Sequence, residues 1–253
     1  MGLLDIFFKD VFDKLGAVGP VGIVAVAFAW GVLRAWPRPI EQKFTTPNTE
    51  VRIVEGDLFD QPENIVVGMA STFDTAIPDI IQTNSVQGQL LTRVFRGDVA
   101  KLDAELASAL VGVLPIDEIQ KPGKTDVYPW GTVARIRVGP SCYFCFAYTQ
   151  MNEHNEARTT VGGLWSALEN LWDQVRIHGN GAEVSIPVIG GGQARISQQL
   201  PAQDSIRFIA MSFVLASRKE KVCDRLNIVV RPQDAPDIDM LEIQAFLKSL
   251  RMS

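Results

Sequence analysis

Short runs of apolar residues alternate with amphipathic stretches along the chain from residue 50 to its end. Runs rich in Val and Ile predict strands, whereas apolar residues spaced three and four apart predict helices. The predicted strands cover residues 51–54, 65–69, 132–138, 143–148, 183–188 and 226–230, and the predicted helices cover residues 100–111, 164–175, 205–217 and 238–250. This alternation predicts an α/β fold with helices on both faces of a central sheet and ligands at the carboxyl ends of its strands.

A different pattern precedes this domain, because residues 15–33 include no charged side chain and are apolar on every face of a helix. A helix of this length is roughly 28 Å long, which matches the hydrocarbon thickness of a bilayer. Trp30 and Trp36 lie near its end, beside Arg34 and Arg38. Since interfacial aromatic and cytoplasmic basic residues flank membrane helices, we expect a transmembrane helix whose C-terminal side is cytoplasmic.

Two other interpretations of residues 15–33 compete with the membrane helix. A cleaved signal peptide would begin with basic residues, but Asp5, Asp10 and Asp13 precede the run, which argues against it. A buried helix of a soluble protein stays open, because several glycines and Pro20 dilute the hydrophobicity of the run.

Pro37, Pro39 and Pro47 interrupt any periodicity after the apolar run, which is typical of a linker. We therefore divide the chain into an N-terminal amphipathic and transmembrane segment at residues 1–36, a linker at residues 37–49 and a ligand-binding domain at residues 50–253.

The composition narrows the classes of function that this domain can have. Apolar residues make up 47% and charged residues 21% of the chain, which is typical of a globular protein. The net charge of −5 argues against nucleic acid as a partner, because neutralising phosphates requires a basic surface. Cys142 and Cys145 resemble a redox or zinc pair, but they lie on a predicted strand, where positions three apart face opposite sides. We expect buried core cysteines and no metal site.

Three segments at the ends of predicted strands have the composition of ligand-binding loops. Gly56 and Asp57 follow the first strand, and the second strand opens into small and hydroxyl residues at 70–75. The third segment ends a strand in Gly190, Gly191 and Gly192. Consecutive glycines let the backbone approach a ligand and point N–H groups at phosphate oxygens. A flexible turn is the alternative for this tract, which lacks the ending of a P-loop and the spacing of a dinucleotide fingerprint.

These segments together resemble the macro domain, an ADP-ribose-binding fold, over about residues 50–250. The resemblance implies a three-layer α/β/α mixed sheet. More narrowly, residues 69–75 and 84–90 resemble the divergent macro domain in effectors of the Thoeris antiphage system, some of which carry N-terminal membrane helices. Two departures stand out. Ala70, Ser71 and Thr72 replace the Asn residues that ordinary macro domains place near the distal ribose, and only one membrane helix is predicted here rather than two.

The resemblance also implies roles for individual residues. Asp57 and Leu58 would lie at the adenine, with Asp57 accepting from its amine. Ala70, Ser71, Phe73 and Asp74 would line the distal ribose and whatever is conjugated to it, with Ser85 close by. The diphosphate would be wrapped by Gly190, Gly191, Gly192 and Gln193, with Arg195 as a further contact.

Several of these residues also have ordinary structural interpretations. Asp57 and Asp74 are typical helix N-cap residues, the latter before residues 76–81. Phe73 is equally typical of a core. Ser85 and the residues that follow it are compatible with a simple helix connection, and Arg195 with a surface charge.

The function that the resemblance implies is sensing rather than catalysis. A partner TIR-domain protein would consume NAD and make an ADP-ribose derivative, such as a histidine conjugate, as a nucleotide second messenger. The chain would bind it at the bacterial inner membrane, with its domain in the cytoplasm, form a homo-oligomer and damage the lipid bilayer. No cofactor is expected beyond this ligand. We predict no catalytic residues, because no nucleophilic or metal constellation is legible.

Two alternatives to sensing remain open. One is a membrane-tethered hydrolase of ADP-ribose esters, with Asp74 or Glu153 as a general base. The other is a membrane-tethered scaffold in which the glycine tract is only a turn.

Overall fold

A mixed sheet forms the centre of the domain in the computed structural model, which describes Trp30 and residues 40–62, 64–189 and 200–252. The strands are β1 (Ile40–Thr45), β2 (Asn48–Glu55), β3 (Asn64–Ala70), β4 (Asp117–Glu118), β5 (Asp126–Val127), β6 (Val133–Val138), β7 (Ser141–Met151), β8 (Ala157–Arg158), β9 (Val184–Pro187) and β10 (Arg225–Val230). The main sheet has the order β1-β2-β10-β9-β3-β7-β6, with β8 paired to β7, while β4 and β5 form a separate hairpin.

Five neighbouring strands of this sheet are parallel. They are β2, β10, β9, β3 and β7, whereas β1 and β6 pair antiparallel at the two edges. The carboxyl ends of β2, β10, β9 and β3 therefore meet at one edge, here called the ligand edge. The mixed sheet that was predicted is confirmed.

Helices cover both faces of the sheet. They are α1 (Val86–Gln89), which continues into a π-helical turn at Leu90–Val94, α2 (Val99–Ala109), α3 (Val161–His178), α4 (Ala202–Lys219) and α5 (Met240–Met252). Helices α3, α4 and α5 share one core with the sheet, and the π-helical turn and α2 share the other. This arrangement confirms the three-layer α/β/α prediction.

Strand β7 shows how the sequence separates the two cores. Cys142 and Phe144 belong to the core on the α3 side, whereas Tyr143 and Cys145 belong to the core on the α2 side. Both faces are covered, so the strand is apolar at nearly every position. Burial raises the pKa of the Cys145 thiol, which keeps it protonated at neutral pH. The prediction of two buried core cysteines on opposite faces is confirmed.

The predicted linker at residues 37–49 is wrong in its second half. Ile40–Thr45 form strand β1, which hydrogen-bonds to β2 from Ile40 opposite Ile53 to Thr45 opposite Asn48. Phe44 is buried and reaches the core, while its strand neighbours are exposed. The sheet thus begins at Ile40, because the buried Phe44, the partly buried Ile40 and a row of backbone hydrogen bonds suffice for an edge strand.

The predicted transmembrane helix at residues 15–33 lies, apart from Trp30, outside the described residues. Among the residues that are described, no helix combines the length and the apolar character needed to cross a membrane.

Candidate ligand site at the carboxyl edge of the sheet

The loops after β2 and β3 both lie at the ligand edge, as the strand directions require. The third predicted loop follows β9, which ends at Pro187. The description stops at Ile189 and resumes at Leu200, so Gly190, Gly191, Gly192, Gln193 and Arg195 lie outside the described residues. Within the described residues, the site comprises the first two loops and the elements that hold them.

Asp57 forms the loop after β2 into a short cap. It precedes a 3-10 turn at Leu58–Asp60, and its Oδ1 accepts a hydrogen bond from the Phe59 amide at 2.8 Å. Leu58 is buried beneath the loop in the core on the α2 side. The N-cap interpretation of Asp57 is therefore confirmed, and its side chain remains 41% exposed, which leaves it accessible to a ligand.

Arg93, on the π-helical turn, is the partner of Asp57 that the sequence did not reveal. Its NH1 donates to Asp57 Oδ2 at 2.6 Å and its NH2 to Asp60 Oδ1 at 3.2 Å. The guanidinium carbon also lies 5.2 Å from the centre of the Phe59 ring, within the range of a cation–π contact. Arg93 thus joins the helix face to the loop after β2.

The electrostatics of this pair favour an ionised Asp57. Partial burial raises the pKa of its carboxyl. Hydrogen bonds from Arg93 and the Phe59 amide together lower that pKa by more, so it lies below its usual value. The pKa of Arg93 is raised, chiefly by its hydrogen bond to Asp57. At neutral pH the loop therefore presents a carboxylate as a hydrogen-bond acceptor.

The loop after β3 is buried, in contrast to the loop after β2. Ala70, Ser71 and Phe73 are all at most 6% exposed. Phe73 adopts a positive φ of 50° and packs edge to face against Tyr128, with ring centres 5.6 Å apart. It belongs to the core on the α2 side, as its structural interpretation predicted. Its contact with a ligand remains a prediction.

Ser71 has an unusual environment within this loop. Its amide donates to the Thr149 carbonyl at 2.7 Å, and its carbonyl accepts from Tyr128 at 2.9 Å. Its Oγ is buried and has no hydrogen-bond partner within the part of the chain that the structure describes. An unsatisfied buried hydroxyl is unfavourable. The Ser71 hydroxyl at the end of β3 is therefore a candidate for a hydrogen bond to a further polar group.

Asp74 is the centre of a buried polar network. Its Oδ2 accepts from Lys121 Nζ at 2.8 Å and from the Thr72 hydroxyl, and its Oδ1 accepts from the Lys124 amide at 2.8 Å. The side chains of Lys121 and Asp74 are 0% and 1% exposed. Gln87 of α1 donates to the Asp74 carbonyl. Asp74 thus fastens the loop after β3 to the β4–β5 hairpin and to α1.

The proposed N-cap role of Asp74 is wrong. Residues 77–80 form turns and no helix covers residues 76–81, and the carboxylate binds the hairpin instead. This contact leaves no pattern in the sequence, because Lys121 lies 47 residues away in a segment without a strong periodicity.

Ser85 is an N-cap residue. Its hydroxyl accepts from the Gly88 amide at 3.0 Å and donates to the Gln82 carbonyl at 2.7 Å, which starts α1. The alternative of a helix connection is confirmed for this segment, and any ligand contact of Ser85 remains a prediction.

Comparison with known proteins gives the family. A family model described as Thoeris protein ThsA, Macro domain, matches residues 51–231. This chain belongs to the ThsA macro-domain family. It is 24% identical over 208 residues to the Thoeris protein ThsA of Bacillus amyloliquefaciens strain Y2, a match that covers 79% of this chain and 69% of that protein.

Solved macrodomains share the fold of this ThsA macro domain. The Oceanobacillus iheyensis macrodomain solved with ADP superimposes with a TM-score of 0.53 at 15% identity and covers 85% of this chain and 98% of that chain. A mutant of the same macrodomain solved with ADPR gives a TM-score of 0.53 at 15% identity, covering 84% and 100%. The resemblance to a Thoeris-type macro domain is confirmed.

A polar groove of about 710 Å³ lies at the opposite edge of the ThsA macro-domain sheet. Four of its charged side chains are paired: Arg225 contacts both Glu50 and Glu183 at 3.2 Å, and Asp224 contacts Lys221, outside the groove lining, at 2.6 Å. Because these side chains are paired within the protein, the groove carries no functional assignment, and the ligand edge remains the candidate site.

Proposed function

We propose that this chain is the sensing effector of a Thoeris-type antiphage system, which binds an ADP-ribose derivative at the ligand edge. The match to the ThsA macro-domain family over residues 51–231 carries this proposal, because it spans both described loops and the glycine tract. The fold shared with macrodomains solved with ADP and ADPR supports the same ligand class.

The geometry of the loop after β2 supports recognition of an adenine base. Asp57 is an exposed, ionised acceptor, and an exocyclic amine is a donor. At the loop after β3, the unsatisfied hydroxyl of Ser71 is a group that a bound polar ligand would satisfy. The proposed diphosphate contacts are the residues of the glycine tract, Gly190 to Gln193, with Arg195.

The proposed mechanism is a ligand-dependent change of assembly. A TIR-domain partner that consumes NAD supplies the signal, such as a histidine conjugate of ADP-ribose. The bound signal favours one packing of copies of this chain, and residues 15–33 pass that change to a bacterial inner membrane. Such a shift is driven only by the difference in affinity of the ligand for the two states.

Binding without turnover is proposed over ester hydrolysis. A general base must be free to accept a proton, and both carboxylate oxygens of Asp74 are engaged in a buried network. Incubation with an ADP-ribosylated ester tests this point, and turnover that is lost in Asp74→Ala while the variant stays folded would support the hydrolase instead.

Calorimetry of the full chain in detergent against ADP-ribose and its histidine conjugate tests the sensing proposal directly. We expect saturable binding of at least one of them and weaker binding of ribose 5-phosphate, which lacks the adenosine and one phosphate. Sedimentation with and without ligand measures assembly, and dye release from vesicles measures membrane damage. The absence of binding at millimolar ligand would refute the proposal.

A further inference from the structure

We propose that Arg93 is a positioning residue for Asp57, which orients that carboxylate toward the exocyclic amine of the ligand base. This inference rests on the proposed function, since it concerns the same ligand edge. Nothing in the ThsA family match singles out Arg93, and the assignment comes from the contacts of its guanidinium.

The guanidinium of Arg93 is fixed on three sides. Asp57 Oδ2 accepts at 2.6 Å and Asp60 Oδ1 at 3.2 Å, while the Phe59 ring lies beneath the carbon at 5.2 Å. The Gln89 side-chain oxygen, one helical turn earlier, accepts weakly from NH1 at 3.4 Å. An arginine that made only one surface ion pair would be free to rotate, whereas this one is held by four neighbouring groups.

The backbone that carries Arg93 is also unusual. It lies in the π-helical turn Leu90–Val94, which directly continues α1. π-Helical turns are rare and are frequently found at functional sites. Leu90 and Leu91 on this turn are buried in the core, which anchors the turn, and Arg93 contacts the loop after β2.

Asp57 remains available to a ligand after these contacts are made. Oδ1 accepts one hydrogen bond from the Phe59 amide and Oδ2 accepts one from Arg93, and each carboxylate oxygen has capacity for a second. The side chain is 41% exposed. Two fixed donors therefore set the orientation of the carboxylate, while its outer lone pairs face solvent.

The charges around Asp57 favour the same conclusion. Among the described residues, Arg93 contacts both Asp57 and Asp60. Without Arg93, the Asp57 carboxylate would lose its charged donor and keep only the Phe59 amide to orient it. The pKa of Asp57 would then rise, because one of the two donors that oppose partial burial would be gone.

A double-mutant cycle on the full chain tests the inference. The variants are Arg93→Gln, Arg93→Lys, Asp57→Asn and the double variant of Arg93→Gln with Asp57→Asn, each titrated with ADP-ribose by calorimetry. We expect about a tenfold loss of affinity for Asp57→Asn and about a fivefold loss for Arg93→Gln. The double variant should bind no worse than Asp57→Asn, because Arg93 acts through Asp57.

Two readouts separate positioning from a general structural role. Arg93→Lys keeps the charge and should restore part of the affinity. The analogue with unsubstituted purine in place of adenine lacks the exocyclic amine and gains no new donor or oxygen, so Arg93→Gln should leave its affinity unchanged. Carboxyl NMR titration without ligand should show a higher pKa for Asp57 in Arg93→Gln than in the unmodified protein.

The outcomes distinguish this inference from the proposed function. If the unmodified chain binds neither ADP-ribose nor its histidine conjugate, the proposed function fails and this inference with it. If the chain binds but Arg93→Gln binds equally well, or loses affinity by the same factor in the Asp57→Asn background, only the role of Arg93 is overturned.

Discussion

The loops after β2 and β3 lie at the same edge of the sheet but are held by opposite means. Arg93 holds the first through side chains that are about two-fifths exposed, whereas Lys121 holds the second through a pair that is 0% and 1% exposed. An exposed ion pair contributes little to stability, because water competes for both charges. A buried pair fixes one conformation, because neither charge is tolerated alone. The ligand edge thus combines an exposed wall, the loop after β2 with Arg93, and a rigid buried wall, the loop after β3 with Lys121.

Removing Lys121 should give the largest effect, because it leaves the Asp74 carboxylate buried and uncompensated. We expect Lys121→Met to lower the free energy of unfolding by about 3–5 kcal/mol, measured by urea denaturation. Lys219→Met is the matched control, since the side chain of Lys219 is 80% exposed in its pair with Glu169, away from this loop. Equal losses for the two variants would contradict the assignment of a rigid wall.

Gly123 allows a smaller but sharper test of the same network. It has a φ of +91°, and a Cβ at this position would overlap Ile80 Cδ1 and Asp74 Oδ1. Gly112 has a similar φ of +87° with open space around it. Gly112→Ala should therefore cost only the backbone strain of about 1–2 kcal/mol, and Gly123→Ala should cost more. Thermal unfolding of both variants measures the two costs. A smaller loss of stability for Gly123→Ala would show that the loop moves to make room for the added Cβ.

The N-terminus of α1 helps to hold the rigid wall, the loop after β3, in place. Ser85 caps the helix from which Gln87 donates to the Asp74 carbonyl. We expect Ser85→Ala to cost about 1 kcal/mol in urea denaturation. Ser108→Ala, at an exposed position of α2, is the control and should change stability by less than about 0.5 kcal/mol. If Ser85→Ala leaves the free energy of unfolding unchanged, the cap does not stabilise this segment.

Changing the exposed wall should have the smallest effect on the free energy of unfolding, and only in a defined range of pH. The folded-state pKa of Asp57 is lowered, so its contribution to stability is present above the ordinary Asp pKa and is lost as the pH falls through the lowered value. The difference in unfolding free energy between the unmodified chain and Arg93→Gln should be below about 1 kcal/mol at pH 7 and should vanish on acidification. A difference that persists at the acid end would exclude Asp57 as its source.

The sequence predicted the central strands better than the edges or the network. Strands β3 and β7 were legible because apolar residues fill both faces, as Val66 and Val67 do in β3. Strand β1 was missed because only Phe44 and the partly buried Ile40 pack against the core and prolines surround the strand. The partners of the site, Arg93 and Lys121, lie 36 and 47 residues from Asp57 and Asp74, and a contact across such a separation leaves no periodic pattern. The sequence therefore predicted the order of the loops along the chain, but not the side chains that hold them.

The antiparallel direction of β1 has a mechanical consequence. Its first residue, Ile40, pairs with Ile53 near the end of β2, four residues before Asp57. The chain therefore enters the sheet at Ile40 close to its ligand edge, where the pairing of β1 with β2 connects it to the strand that leads into Asp57. A displacement of the loop after β2 would reach Ile40 through this strand pairing, without passing through the core.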